Sequence, residues 1–77
     1  MQVITSIEEC NAAAVAIGNP KVSAATIDYT PAPEGCYDNG NLWVATNPSN
    51  KGNGEMEEGQ NPICKRGLLQ TLSILHC

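Results

Sequence analysis

The sequence predicts a small α+β domain stabilised by disulfides, with one N-terminal helix packed on a small antiparallel sheet. Three observations lead to this prediction: a helical segment with marked ends near the start of the chain, an Asn-Gly hairpin signal at its centre, and four widely spaced cysteines. The chain has 77 residues and no phenylalanine, so the apolar core that it can build is small. A domain of this size usually needs covalent or metal links to stay folded.

The four cysteines are expected to form two disulfides. None of them stands in the C-x-x-C spacing that is typical of zinc and thioredoxin-type sites. Three pairings are open; we favour Cys10–Cys36, which joins the helix to the hairpin, and Cys64–Cys77, which joins the closing strand to the tail. Each disulfide is worth about 2–4 kcal/mol. Because disulfides persist in oxidising compartments, the cysteines predict a secreted protein or one on the extracellular surface.

Charge and composition argue against several classes of function. The net charge is -4, and the largest basic cluster is Lys65-Arg66, so nucleic acids and anionic membranes would be repelled. The longest apolar run, residues 12–17, has six residues. A membrane helix needs about 20, so we expect neither nucleic-acid binding nor membrane insertion.

Residues 5–20, TSIEECNAAAVAIGNP, predict a helix with both ends marked. Ser6 and Glu9 have the spacing of a capping box, which satisfies free N–H groups at a helix start. Gly18 suits the left-handed position that follows the last turn, and Pro20 prevents continuation. The expected inward face consists of Ile7, Cys10, Ala14 and Ile17.

Four strands are expected after the helix. Residues 25–30 alternate between apolar and polar side chains, and Pro31 and Pro33 end this strand. Asn39-Gly40 is the preferred sequence of a two-residue hairpin turn. Such a turn places Cys36 opposite Trp43, and we expect both to face the helix as part of the core. The other face would then carry Tyr37, Leu42 and Val44. Residues 63–65, ICK, predict a closing strand.

The remaining parts of the chain are a polar loop, residues 47–62, and an apolar tail, residues 67–77, which follows the folded module of residues 1–66. Long loops of this kind are either functional or mobile. The tail fits a helix through Leu68, Leu72 and Leu75, or a strand through Leu68, Leu72 and Ile74. Its apolar surface must be buried, either on its own domain or as a strand donated to the next subunit, which would build a filament.

Four motifs stand out along the chain: ITSIEECNAAAVAIG (4–18), PEGCY (33–37), LWVATN (42–47) and NPICK (61–65). Together they resemble a small cysteine module found in predicted extracellular proteins of unicellular algae such as dinoflagellates and diatoms. The resemblance implies an extracellular module, often repeated in tandem, and supplies no catalytic residues. In the family another cysteine usually precedes the helix, whereas this chain carries Cys77 at its end.

No set of residues predicts catalysis, a cofactor or a metal site. His76 is the only histidine, and its neighbour Cys77 cannot readily aim at it as a nucleophile. The acidic run of Glu55, Glu57 and Glu58 lacks the spacing of a calcium-binding loop. We therefore expect a non-enzymatic protein that uses no cofactor.

The expected function is a non-enzymatic extracellular structural module that self-associates, as a subunit of a filament or a surface coat. The alternative is a carbohydrate-binding adhesion module in which Tyr37 and Trp43 present an aromatic surface. A third reading is a small protease inhibitor that presents residues 47–62. The candidate ligand or interface residues are Tyr37, Trp43, Leu68, Leu72 and Leu75. The candidate O-glycosylation positions are Thr30, Pro31 and Pro33.

Overall fold

The protein folds as one α-helix on a mixed β-sheet, which confirms the predicted α+β class. The computed structural model describes residues 2–65 and the backbone of residues 74–76. The helix, α1, spans Ile7–Ala16. The strands of the described residues are β1 (Gln2–Val3), β2 (Ala25–Ile27), β3 (Gly35–Asp38), β4 (Leu42–Ala45), β5 (Asn61–Lys65) and β6 (Ile74–His76).

The strands lie in the order β1-β5-β3-β4-β2, and β6 also pairs with β5. Every pair is antiparallel except β2 with β4, which is parallel. The sheet is therefore mixed rather than purely antiparallel. Parallel neighbours cannot be joined by a tight turn, and here the chain passes through β3 between β2 and β4.

Both predicted ends of α1 are confirmed. The Ser6 hydroxyl accepts a hydrogen bond from the Glu9 backbone N–H at 3.0 Å. At the other end Gly18 has a φ of 72°, and the N–H of Asn19 donates to the carbonyl of Ala14 at 2.8 Å. This is the Schellman arrangement, which satisfies the last carbonyls of a helix. The Glu9 side chain makes an ion pair with Lys65 of β5 and so ties the helix to the sheet.

The buried face of α1 differs from the prediction at two positions. Cys10, Ala13 and Ala14 are buried, whereas Ile7 is 39% exposed. The inward stripe thus follows positions i, i+3 and i+4 from Cys10. Because alanines dominate this stripe, the helix backbone can approach the sheet closely. The core beneath it consists of Ile4, Cys36, Leu42, Val44 and Ile63 together with these helix residues.

The β3–β4 hairpin has a register one residue away from the predicted one. Its loop contains three residues, 39–41, so Tyr37 pairs with Trp43 and Cys36 pairs with Val44. A two-residue type I′ turn requires a positive φ at both central positions, but Gly40 alone has one here. The Asp38 carboxylate accepts a hydrogen bond from the Gly40 N–H at 2.9 Å, which favours the longer loop.

This one-residue shift keeps the predicted faces of β3 but reverses those of β4, because side chains alternate along a strand. Cys36, Leu42 and Val44 are buried against the helix, whereas Tyr37 and Trp43 lie on the other face. The prediction that Trp43 forms the core beside Cys36 was wrong: Trp43 is only half-buried, on the face away from α1.

The Cys10–Cys36 disulfide is present and links α1 to β3, with a Cα–Cα distance of 5.6 Å. Cys64 is also disulfide-bonded. Its predicted partner, Cys77, lies outside the described residues, and so do Leu68 and Leu72 of the tail. The described end of the tail, β6, is a strand, and it pairs with β5 of the same chain.

Candidate functional site

The polar loop forms a second layer over the sheet face that carries Tyr37. Three amide side chains attach this loop to the backbone of residues 29–32. Asn50 is buried; its side chain donates to the Tyr29 carbonyl at 2.9 Å and accepts from the Ala32 N–H at 3.1 Å. Asn53 donates to the Ala32 carbonyl, and Gln60 donates to the Pro31 carbonyl. The loop is therefore a fixed part of the fold.

Tyr37 lies beneath this layer and is 0% exposed. Its hydroxyl is the one buried side-chain polar atom, among the residues that the structure describes, without a hydrogen-bond partner. Leaving a buried hydroxyl unpaired costs about 1–3 kcal/mol, so such a group calls for an explanation. Burial raises the pKa of Tyr37, and the nearby Tyr29 and Glu57 raise this pKa further.

A recess opens at Tyr37, and we call it the Tyr37 recess. Its cavity volume is about 320 Å³. Because Tyr37 is fully buried, it forms the floor, while the exposed residues form the rim. The polar and aromatic side chains that line it are Tyr29, Tyr37, Asn39, Glu57, Glu58 and Gln60.

The rim of the recess is organised by a contact between Tyr29 and Glu57. The Tyr29 hydroxyl lies 2.9 Å and 3.1 Å from the two carboxylate oxygens of Glu57 and donates its proton to this carboxylate. This hydrogen bond is the main reason why the pKa of Tyr29 is raised. The Tyr29 side chain is 43% exposed, so part of its ring stays open to a ligand.

Trp43 belongs to a different surface. Its indole N–H donates to the Asn39 side-chain carbonyl at 2.9 Å. It lines a second, mostly apolar recess of about 290 Å³ with Val22 and Leu42. Tyr37 and Trp43 are thus neighbours in the hairpin but do not form the single aromatic surface of the carbohydrate-binding alternative.

The acidic residues do not converge on a metal ion. Within the described part of the chain, no group of three or more His, Cys, Asp or Glu side chains could hold one. The Asp38 carboxylate already accepts hydrogen bonds from Gly40 and from the Asn19 amide. The Glu55 carboxylate accepts from the Gly59 N–H. These contacts give the acidic side chains local structural roles.

The other predicted positions fall in different places. Thr30 and Pro31 are exposed, but Pro33 is fully buried, which leaves its ring no room for a sugar. The predicted interface residue Leu75 lies in β6, opposite Cys64. No helix among the described residues is long and apolar enough to cross a bilayer.

Sequence reasoning missed Tyr29 and Gln60 as site residues. Tyr29 lies 28 positions from Glu57, its hydrogen-bond partner, and Gln60 lies 29 positions from Pro31. No periodicity links residues so far apart. The one sequence signal for these contacts was the composition of the loop, residues 47–62. Asn and Gln side chains, which recur in this loop, can form hydrogen bonds with backbone groups of neighbouring segments.

Comparison with known proteins adds no function by similarity. No protein-family model, no curated protein and no solved structure matches this chain. A function has to be derived from the chemistry of the chain's own residues.

Proposed function

We propose that the protein is a non-enzymatic extracellular adhesion module that binds a carbohydrate in the Tyr37 recess. The observation that carries this proposal is the buried, unpaired hydroxyl of Tyr37, a residue that lines the recess. A hydroxyl both donates and accepts hydrogen bonds, and so do the hydroxyl groups of a sugar. A bound sugar that displaced the side chains covering Tyr37 would bring a sugar hydroxyl to this group and remove the cost of leaving it unpaired.

The rest of the recess has the chemistry of a sugar site. The Glu57 and Glu58 carboxylates accept hydrogen bonds, and the exposed part of the Tyr29 ring offers an apolar face on which a sugar ring can pack. The volume of about 320 Å³ lies at the lower end of the range for small-molecule sites. It suits one or two sugar units of a longer chain.

Binding without catalysis is supported by the environment of the two carboxylates. Glu57 and Glu58 are neighbours in the sequence, and both side chains are exposed to water. Glycoside hydrolysis needs one carboxyl group kept protonated in a pocket of low polarity while another stays ionised. This recess does not separate its carboxylates into two such environments.

An extracellular location is supported by the cysteines. The Cys10–Cys36 disulfide is buried between α1 and the sheet, and the described residues contain no free cysteine. A domain of 77 residues depends strongly on such links. Disulfides of this structural kind are typical of secreted proteins.

A glycan array with the purified, oxidised protein tests the proposal. We expect a restricted set of glycans to bind the wild type, and Tyr37→Phe, which removes only the hydroxyl, to lose most of this binding. Ser49→Ala is the matched control, because it also removes a single hydroxyl and Ser49 is exposed and does not line the Tyr37 recess. Absence of binding to every glycan, or equal binding by Tyr37→Phe, would show that the proposal is wrong.

Self-association is the second candidate function, as a subunit of a filament or coat. The observation that favours it is the outer edge of β2, which pairs only with β4 among the described strands. An open strand edge can accept a strand from another molecule. Size-exclusion chromatography over a range of concentrations tests it: growing assemblies support self-association, and a constant monomer contradicts it.

A further inference from the structure

We infer that the Tyr37 recess prefers an amine-bearing sugar, that is, a hexosamine unit whose amino group is not acetylated. This inference rests on the proposed carbohydrate binding and specifies its ligand. The observations that carry it are two carboxylates at the rim, the absence of a facing cation among the described side chains, and the unpaired hydroxyl at the floor.

The charges around the recess have one sign. Glu57 and Glu58 line it, and no lysine or arginine of the described residues does. Lys65 makes its ion pair with Glu9 on the helix, and Lys21 lines the recess of Trp43 instead. The net charge of -4 adds to the same field. An anionic sugar would be repelled here, whereas an ammonium group would be attracted.

Glu57 is held in position to accept an ammonium group. The Tyr29 hydroxyl shares its single proton between the two carboxylate oxygens of Glu57, which lie 2.9 Å and 3.1 Å from the hydroxyl oxygen. A carboxylate has about four acceptor positions, so most of them stay free. Because Tyr29 already fixes the carboxylate, little side-chain freedom remains to be lost when a ligand binds.

The two tyrosines complete the recognition of an amino sugar. The exposed part of the Tyr29 ring can contact a cation through its π-system. The Tyr37 hydroxyl can accept a hydrogen bond from the ammonium group or exchange one with a sugar hydroxyl. Acetylation would remove the positive charge and the N–H donors that the carboxylates recognise, so the acetylated sugar should bind less tightly.

The expected preference is moderate because Glu57 and Glu58 are exposed, and exposed ion pairs are weakened by water. We expect the free amino sugar to bind about two- to tenfold more tightly than its acetylated form. The preference should decrease as the salt concentration rises, because surface charges are screened.

Calorimetric titration of the oxidised protein at mildly acidic pH tests the inference. The probes are matched trisaccharides of glucosamine, N-acetylglucosamine, glucose and glucuronic acid. Glu57→Gln should lower the affinity ratio of glucosamine to N-acetylglucosamine, and the double variant Glu57→Gln/Glu58→Gln should bring this ratio close to one. Glu8→Gln is the control, since it makes the same charge change on α1, outside the recess.

The outcomes separate the inference from the proposed function. Equal or tighter binding of the acetylated, neutral or glucuronic acid probe overturns the amine preference and leaves carbohydrate binding intact. If Glu57→Gln leaves the preference for glucosamine unchanged, this preference arises at another surface, and the inference is overturned as well. Absence of binding to all four probes and to a wider glycan array overturns both.

Discussion

Tyr37 and Trp43 pair directly across the β3–β4 hairpin, on the sheet face away from the helix, yet only Tyr37 is fully buried. The difference arises because the polar loop covers Tyr37, whereas Trp43 lies nearer the open side by β2. The two aromatic residues should therefore contribute differently to stability and to binding.

The first prediction concerns the stability that each aromatic residue provides. Tyr37→Ala should lower the free energy of unfolding by about 3–5 kcal/mol, because it removes a fully buried aromatic side chain. Trp43→Ala should cost less, about 1–2 kcal/mol, because Trp43 is only half-buried. Urea unfolding followed by circular dichroism measures both, and the reverse order would contradict the placement of the two residues.

The second prediction concerns Asn50, which attaches the loop to the Tyr37 face. Asn50→Ala leaves the Tyr29 carbonyl and the Ala32 N–H without their partner, at a cost of about 2–4 kcal/mol. Asn61→Ala is the control, because Asn61 is exposed and makes one local hydrogen bond to Gly59. Equal melting temperatures for the two variants would show that the loop does not depend on Asn50.

The third prediction concerns alkaline pH. Both tyrosines have pKa values above the usual 10.0 in the folded protein. The folded state therefore binds the tyrosine protons more tightly than the unfolded state does. The stability that results is complete below pH 10, the pKa of an unfolded tyrosine, and is lost as the pH rises through the higher pKa values of the folded protein. Tyr37→Phe should reduce this alkaline loss of stability. Melting temperatures measured across this pH range test the prediction. An equal decrease in melting temperature for the wild type and Tyr37→Phe would contradict it.

The fourth prediction concerns the disulfide between the helix and β3. Mass spectrometry of the unreduced, digested protein should recover a peptide pair joined through Cys10 and Cys36. Replacing both cysteines with alanine should lower the free energy of unfolding by about 2–4 kcal/mol. Recovery of Cys36 linked to any other cysteine would contradict this connectivity.

The sequence was a good guide where structure depends on near neighbours. Ser6, Gly18 and Pro20 determine the helix ends through contacts within a few residues, so both ends were predictable. The hairpin was located correctly, but its register depends on whether Asn39 adopts a positive φ, which Asn tolerates without requiring. That single choice moved Trp43 away from the helix.

The recess could not be predicted in the same way. Tyr29 and Glu57 meet because the loop folds back across β3, and this path depends on amide-to-backbone contacts between distant residues. The parallel pairing of β2 with β4 is also non-local, since β3 lies between them in the chain. The periodicity of a strand or a helix relates residues that are two to four positions apart, so it contains no information about contacts between such distant residues.

The most direct test of carbohydrate binding at Tyr37 is an NMR titration of protein labelled with ¹³C-tyrosine. The chain has two tyrosines, so a Tyr29→Phe sample assigns both signals. When a binding glycan is added, the ring carbon that bears the Tyr37 hydroxyl should shift in a saturable way, because this hydroxyl gains a hydrogen-bond partner. A glycan that binds and shifts the indole N–H proton signal of Trp43 in the one-dimensional proton spectrum, while the Tyr37 signal stays unchanged, would contradict the account.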